Sequence, residues 1–200
     1  LTNARLDFDP ITKYGGVGST IDYSNEYLVV MQHPETNEYQ KARNHILETL
    51  RVIKDLEMPT FWFWPNVDAG SDLTSSGIRH FRETENLHNV RFFKNMTPED
   101  FLKLVNGCEC LIGNSSVGIR ECAFMGVKVV NIGKRQERRD RGKNVIDVDY
   151  NACEIKEAVE SQLNSEKPQC DYIYGEGKSG NEIAKVLSRV ELKFSKILSY

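Results

Sequence analysis

The sequence contains few of the features that mark specialised classes of protein. Its 200 residues hold no apolar run of about 18 residues or more, the length that crosses a membrane. The first residues, Leu1 to Arg5, lack the basic and then apolar layout of a signal peptide. Its five cysteines are an odd number without a repeated spacing, which favours reduced structural thiols over a disulfide framework or a zinc site. We therefore expect a cytoplasmic protein that holds no metal.

The net charge of the chain is also small. The 26 Lys and Arg residues against 29 Asp and Glu residues give a formal net charge of -3 at pH 7, which argues against a general nucleic-acid or membrane binder. Apolar residues make up 40% of the chain, enough at this length to bury one core. The composition is typical of a soluble globular protein.

Short apolar runs alternate with segments of helical periodicity. The predicted strands are residues 27–31, 60–64, 90–93, 110–112, 128–132 and 145–148, and the predicted helices are residues 36–56, 72–84, 98–106, 117–126 and 152–164. Strands that are apolar on both faces and alternate with helices indicate a parallel sheet covered on both sides. The predicted fold class is therefore α/β, a doubly wound parallel sheet of about six strands in a Rossmann-like domain.

The segments on either side of this alternation lack its pattern. Residues 1–25 carry turn residues and predict a linker or an entry segment before the domain at 26–166. Residues 167–200 begin polar and glycine-rich, and apolar residues then recur at helical spacing: Ile183, Val186, Leu187, Val190 and Leu192. They predict a polar loop and one or two closing helices that pack on the domain.

Polar residues follow most of the predicted strands. In an open parallel sheet the ligand lies beyond the carboxyl ends of the strands, so these residues are the candidates for a binding site. They are His33, Asn66, Asp68, Asn95, Asn114, Ser115, Ser116, Arg135 and Gln136. His33, directly before Pro34, is interpreted as a ligand contact or proton carrier rather than a core histidine. By contrast, the sequence predicts surface positions for His45, His80 and His88.

The stretch Gly113 to Glu121 carries the richest pattern. Small residues such as Gly118 allow close approach of the backbone, and hydroxyl and amide groups at a helix start favour an anion, so a diphosphate could bind here. Glu121 could accept hydrogen bonds from two ribose hydroxyls. The alternative is that Ser115 only caps the helix.

Residues 133–143 form a second polar stretch, with six cationic and two acidic side chains. Nucleic-acid contact is one interpretation, but the chain is acidic overall and no aromatic residues interleave for base stacking. A loop that holds phosphate at the edge of the site fits better, and a solvated basic loop is the remaining alternative.

In order along the chain, these stretches resemble the carboxyl-terminal half of the UDP-N-acetylglucosamine 2-epimerases, especially the hydrolysing branch of sialic-acid biosynthesis. The matching motifs run from Tyr14 to Gly18, Val30 to Pro34, Trp64 to Ser71, Gly113 to Glu121, Gly133 to Gln136 and Tyr174 to Gly177. The resemblance implies one half of a glycosyltransferase-B type fold, with a UDP-sugar in the cleft between two Rossmann-like halves. It also implies no cofactor, and a homo-oligomer, a dimer or tetramer, at full length.

The resemblance further implies roles for the motif residues. His33 and Arg135 are the catalytic candidates: His33 would contact the nucleotide sugar near the diphosphate, and Arg135 would stabilise the departing UDP. Ser115 and Ser116 would bind the diphosphate and Glu121 the ribose. The remaining substrate-binding candidates are Asn66, Asp68, Asn95, Asn114, Gly118 and Gln136.

Such enzymes eliminate UDP to form a 2-acetamidoglucal, and the hydrolysing type then adds water and releases N-acetylmannosamine. Their acid and base carboxylates lie in the amino-terminal half, so this chain alone is expected to be inactive. Glu35, Lys134 and Arg138 depart from the family pattern, which leaves a diacetylated sugar open. A glycosyltransferase of the same fold and a non-catalytic nucleotide-binding domain are alternatives.

Overall fold

A computed structural model describes residues 6–191 of the chain. This part of the chain forms one seven-stranded sheet with helices on both faces. The strands are β1 Val17–Gly18, β2 Leu28–Met31, β3 Thr60–Phe63, β4 Val90–Phe93, β5 Cys110–Gly113, β6 Val129–Ile132 and β7 Val145–Val148. The helices are α1 Pro10–Tyr14, α2 Ala42–Leu56, α3 Ser71–Thr84, α4 Pro98–Gly107, α5 Ser116–Ile119, α6 Glu121–Met125, α7 Ala152–Asn164 and α8 Ser179–Leu187. A 3-10 helix, Thr36–Lys41, leads into α2.

The strand order is β1-β4-β3-β2-β5-β6-β7, and every pair is parallel except β1 with β4. The chain winds outwards from β2 through β3 to β4, and then returns to the other side of β2 with β5, β6 and β7. This is the doubly wound, Rossmann-like fold that the sequence predicts. The winding direction reverses between β2 and β5, and their carboxyl ends border the crevice where such sheets bind ligands.

The strands bury both of their faces because successive side chains alternate between two cores. Trp62 packs with α2, α3 and α7 on one face, and its neighbours Phe61 and Phe63 pack with α4 and α6 on the other. In α2, the predicted apolar stripe through Ile46 and Leu50 is fully buried. Burial on both faces explains the continuous apolar runs of these strands.

The described part of the predicted linker or entry segment, residues 6–25, folds onto the domain. Lys13 and Tyr14 in α1 both contact the carboxylate of Asp100 in α4, with 2.6 Å between the Lys13 nitrogen and the carboxylate. Arg91 in β4 donates to the backbone carbonyls of Gly15 and Gly18. These contacts hold β1 against the sheet edge and account for a seventh strand where about six were predicted.

The helix predicted over 117–126 is divided into α5 and α6. Arg120 lies between them with φ −100° and ψ −69°, outside the geometry of a continuous helix. Gly118 in α5 lies so close to β6 that a Cβ atom there would come within 2.9 Å of Val129. Gly126, in the left-handed region at φ 66°, ends α6.

The predicted closing segment contains the helix α8, whose apolar side chains are exposed within the described residues. Asp171 and Tyr172 in the preceding loop contact α6, through a 2.8 Å backbone bond to Ala123 and an aromatic pair with Phe124. Beyond Tyr174 the chain is exposed, and so are the apolar residues of α8. Leu192 lies outside the described residues. Neither α8 nor any other helix within residues 6–191 is long and apolar enough to cross a membrane.

Candidate functional site

The candidate site lies at the crevice between the carboxyl ends of β2 and β5. His33 follows β2 and Asn114 follows β5, so the strand register brings them side by side. The side-chain amide of Asn114 bonds both backbone groups of His33: Oδ1 accepts from its N–H at 2.7 Å, and Nδ2 donates to its carbonyl at 2.9 Å. Asn114 is completely buried, so it supports the crevice from beneath.

The His33 ring is held in one orientation and one protonation state. Its Nδ1 accepts a 3.1 Å hydrogen bond from the backbone N–H of Asn66, so in the neutral ring Nε2 carries the proton. Burial and the nearby Arg135 cation lower the pKa of His33 to about 4, and the Asp68 carboxylate opposes this only in part. At neutral pH His33 is therefore an uncharged donor, and Nε2 has no hydrogen-bond partner among the described residues.

The side chains of Arg135 and Gln136, which follow β6, also contact Asn114. Gln136 Nε2 and Arg135 Nη1 both donate to the backbone carbonyl of Asn114, at 2.8 and 3.3 Å. Arg135 also forms a 3.4 Å ion pair with Asp68, and its side chain stays 29% exposed. Gln136 is buried. The crevice thus presents one cation, Arg135, beside one neutral imidazole donor.

The stretch after β5 places its hydroxyls and its carboxylate on two short helices. Ser115 Oγ accepts from the Val117 N–H at 3.4 Å and caps α5, which is the simpler interpretation of this residue. The helix that starts here has four residues instead of the predicted ten, so the helix dipole favours an anion less than predicted. Ser116 begins α5 and Glu121 begins α6. Glu121 is half-buried, with no hydrogen-bond partner among residues 6–191.

Asn95 and Gly118, two of the predicted residues, lie apart from this group. Asn95 is exposed after β4, two strands away from β2, and among the described residues its side chain accepts only from the neighbouring Met96 N–H. Gly118 faces the sheet instead of the edge, and its lack of a side chain serves the packing of α5 on β6. The side chain of Asn66 is exposed, and only its backbone N–H contacts His33.

The basic stretch forms an exposed turn above Gln136. Lys134, Arg138, Arg139 and Lys143 are exposed, whereas Arg141 pairs with Asp147 of β7 at 3.0 Å. Arg138 has a φ of 64°, in the left-handed region that favours glycine. Within residues 6–191, no group of three or more His, Cys, Asp or Glu side chains is arranged to hold a metal ion.

The structure adds residues that the sequence did not indicate. Tyr150, just after β7, donates a 2.8 Å hydrogen bond to Glu35 and lies 3.3 Å from Asn114 Nδ2. His45 is not a surface residue, since its ring stacks on that of Tyr150 with centroids 3.6 Å apart. The rule that found the other candidates, a polar residue after a strand, would have included Tyr150.

Together, a doubly wound sheet and a cation beside a histidine donor at its switch point define a Rossmann-like domain suited to an anionic ligand. The family model for UDP-N-acetylglucosamine 2-epimerase matches residues 8–188, and the chain belongs to this family. The UDP-N,N'-diacetylbacillosamine 2-epimerase (hydrolyzing) of Legionella pneumophila is 27% identical over 95% of this chain and 46% of its own length. A UDP-N-acetylglucosamine 2-epimerase of Neisseria meningitidis is 26% identical over 86% of this chain and 45% of its own length.

Solved structures share the fold. The S. aureus MnaA-UDP structure superposes with a TM-score of 0.64 at 10% identity, over 93% of this chain and 49% of that protein. At this identity the likeness concerns the fold alone. The chain spans about half the length of these relatives, so it corresponds to one half of such a protein.

Proposed function

We propose that this chain is the nucleotide-binding half of a hydrolysing UDP-N-acetylglucosamine 2-epimerase of sialic-acid biosynthesis in the cytoplasm. The observation that carries the proposal is the convergence of His33 and Arg135 on Asn114, in a chain of the epimerase family. A half-buried cation and a neutral donor suit a diphosphate leaving group, whose negative charge grows as the bond to the sugar breaks.

In this proposal the two catalytic candidates, Arg135 and His33, have different roles. Arg135 binds the diphosphate and stabilises UDP as it leaves. His33 donates a hydrogen bond from Nε2 to the nucleotide sugar and, being uncharged at neutral pH, does so without repelling the Arg135 cation. The half-buried Glu121 carboxylate, which has no partner among the described residues, accepts from the ribose hydroxyls.

Ser115 and Ser116 contribute to diphosphate binding at the start of α5, and Asp68 holds Arg135 through their ion pair. Asn66 lines the cleft beside His33, Gln136 supports the turn behind Arg135, and no cofactor is required. The acid and base carboxylates, and the amino-terminal half that supplies them, belong to the longer protein. The chain alone therefore binds the nucleotide and does not turn over, and the full-length protein is a homo-oligomer.

Two sugars are candidates for the sugar of the UDP-linked substrate. N-acetylglucosamine is the sugar in the description of the matching family. UDP-N,N'-diacetylbacillosamine is favoured by the Legionella relative, because that protein aligns over 95% of this chain. Both sugars share the UDP leaving group, so the residues assigned here serve either substrate.

Titration of the 200-residue chain with UDP tests the binding proposal, with CMP and inorganic phosphate as ligand controls. UDP is expected to bind selectively, and Glu121→Ala is expected to weaken it about tenfold, the loss of one or two hydrogen bonds to a charged group. Glu109→Ala is the matched control, because Glu109 precedes β5 at the opposite edge of the sheet. Equal binding of UDP and CMP, or equal effects of the two variants, would contradict the proposal.

Assay of the full-length protein with UDP-N-acetylglucosamine and with UDP-N,N'-diacetylbacillosamine tests the reaction. We expect free UDP together with the 2-epimerised free sugar from one of them. Formation of an epimerised sugar that remains attached to UDP would instead show a non-hydrolysing enzyme.

A further inference from the structure

Glu35 occupies a junction between the loop after β2 and the turn after β6. One of its carboxylate oxygens, Oε1, accepts from the backbone N–H of Lys134 at 2.6 Å and from the Tyr150 hydroxyl at 2.8 Å. A Cβ atom on Gly133 would come within 2.3 Å of the same oxygen, so the absence of a side chain there makes room for the contact. Two donors on one carboxylate oxygen indicate a fixed structural contact rather than a solvated surface acid.

The contacts of Glu35 lie next to both catalytic candidates. Glu35 follows His33 by two residues, and Lys134 directly precedes Arg135. Tyr150, the second donor, is 3.3 Å from the Asn114 amide that also bonds His33. The carboxylate thus joins the strand end that carries the imidazole to the turn that carries the guanidinium.

We propose that Glu35 is a positioning residue, which fixes the turn of Arg135 relative to His33 through the Lys134 backbone and is supported there by Tyr150. It touches neither of the two side chains that it positions. Its effect on the site is geometric: without the carboxylate, the Lys134 N–H loses its acceptor, and the direct link between the loop after β2 and this turn is lost. The consequence for nucleotide binding rests on the proposed function, but the contact itself does not.

Binding of UDP to variants of the 200-residue chain tests the role. Glu35→Ala is expected to weaken UDP binding about tenfold, the factor that corresponds to a charge-assisted hydrogen bond. Glu35→Gln, which keeps an acceptor oxygen, is expected to restore most of it. Glu38→Ala is the matched control, because that nearby carboxylate pairs with Lys41 and His45 instead of the turn. In an Arg135→Ala background, Glu35→Ala is expected to cause no further loss.

A second measurement needs no ligand. Exchange of the Gln136 side-chain amide protons, which bond the Asn114 carbonyl and do not touch Glu35, reports on the turn by NMR. We expect about tenfold faster exchange in Glu35→Ala and unchanged exchange in Glu38→Ala. Unchanged exchange in Glu35→Ala, or an equal loss of UDP affinity with and without Arg135, would overturn the role. Absence of UDP binding by the unsubstituted chain alongside faster Gln136 exchange would refute binding by this half and leave the positioning contact established.

Discussion

The side chain of Asn114 and the backbone of His33 form a closed pair of hydrogen bonds across the switch point of the sheet, although the residues are 81 positions apart in sequence. The pair serves as a bridge between two neighbouring parallel strands just beyond their ends. Because the Asn114 carbonyl also accepts from Arg135 and Gln136, one residue fixes the loops after β2, β5 and β6. The site is therefore sensitive to a residue that lies beneath it.

Asn114→Ala is expected to lower the free energy of unfolding by about 2 to 4 kcal/mol, because it leaves the N–H and the carbonyl of His33 unpaired in a buried place. Urea unfolding followed by circular dichroism measures the loss. Asn95→Ala, at an exposed position, is expected to stay within about 0.5 kcal/mol. A similar change in both variants would mean that the bridge does not stabilise the fold.

Replacement of His33 is expected to alter the pH dependence of stability. The pKa of His33 is about 4 in the folded protein, against a value near 6.5 for an unperturbed histidine, so the unfolded state binds more protons between these values. Stability that is fully present above pH 6.5 is therefore lost as the pH falls towards 4, by on the order of 1 to 3 kcal/mol. His33→Asn, which can still accept from Asn66, is expected to flatten this slope.

A residual slope below pH 6.5 is expected from His45, because burial also lowers its pKa in the folded protein. Urea unfolding at half-unit steps from pH 4 to pH 8 makes the comparison. His80→Asn, which replaces an exposed histidine on α3, is the control for the substitution itself. An undiminished slope in His33→Asn would contradict the assignment.

Arg138→Gly is expected to stabilise the protein by about 0.5 to 1 kcal/mol. Arg138 adopts φ 64°, which costs a residue with a Cβ atom about 1 to 2 kcal/mol, and this gain exceeds the added flexibility of glycine in the unfolded chain. Arg139→Gly changes the adjacent residue, which has no positive φ, and is expected to destabilise slightly. Thermal unfolding of the two variants distinguishes these signs, and a stabilisation in both would refute the backbone explanation.

Gly118→Ala is expected to destabilise the protein by about 1 to 3 kcal/mol, because the added Cβ would lie 2.9 Å from Val129 and 3.3 Å from Leu111. Gly180→Ala, in α8, meets no atom within 4 Å and is expected to have little effect or to stabilise slightly. Differential scanning calorimetry of both variants checks the contrast. A tolerated Gly118→Ala would show that α5 can move away from β6 at little cost.

The order and type of the strands and helices were predictable because they depend on local periodicity. Apolar runs such as Val129–Ile132 and the stripe through Ile46 and Leu50 carry that signal in neighbouring residues. The sequence did not show that α1 and β1 join the domain. Contacts such as Lys13 with Asp100 link residues far apart in the chain, and no periodic pattern marks them.

The candidate site, like the fold, was predictable from the sequence only in part. That His33, Ser115 and Arg135 lie at one edge of the sheet was determined by the sequence, because each follows a strand of a parallel sheet, whose carboxyl ends share an edge. Only the tertiary structure decided which of these groups meet, how buried each is and what supports it. No local sequence pattern indicates what Asn114 and Glu35 contact. Asn114 bonds His33, and Glu35 bonds Lys134 and Tyr150, because folding brings these distant residues within hydrogen-bond distance.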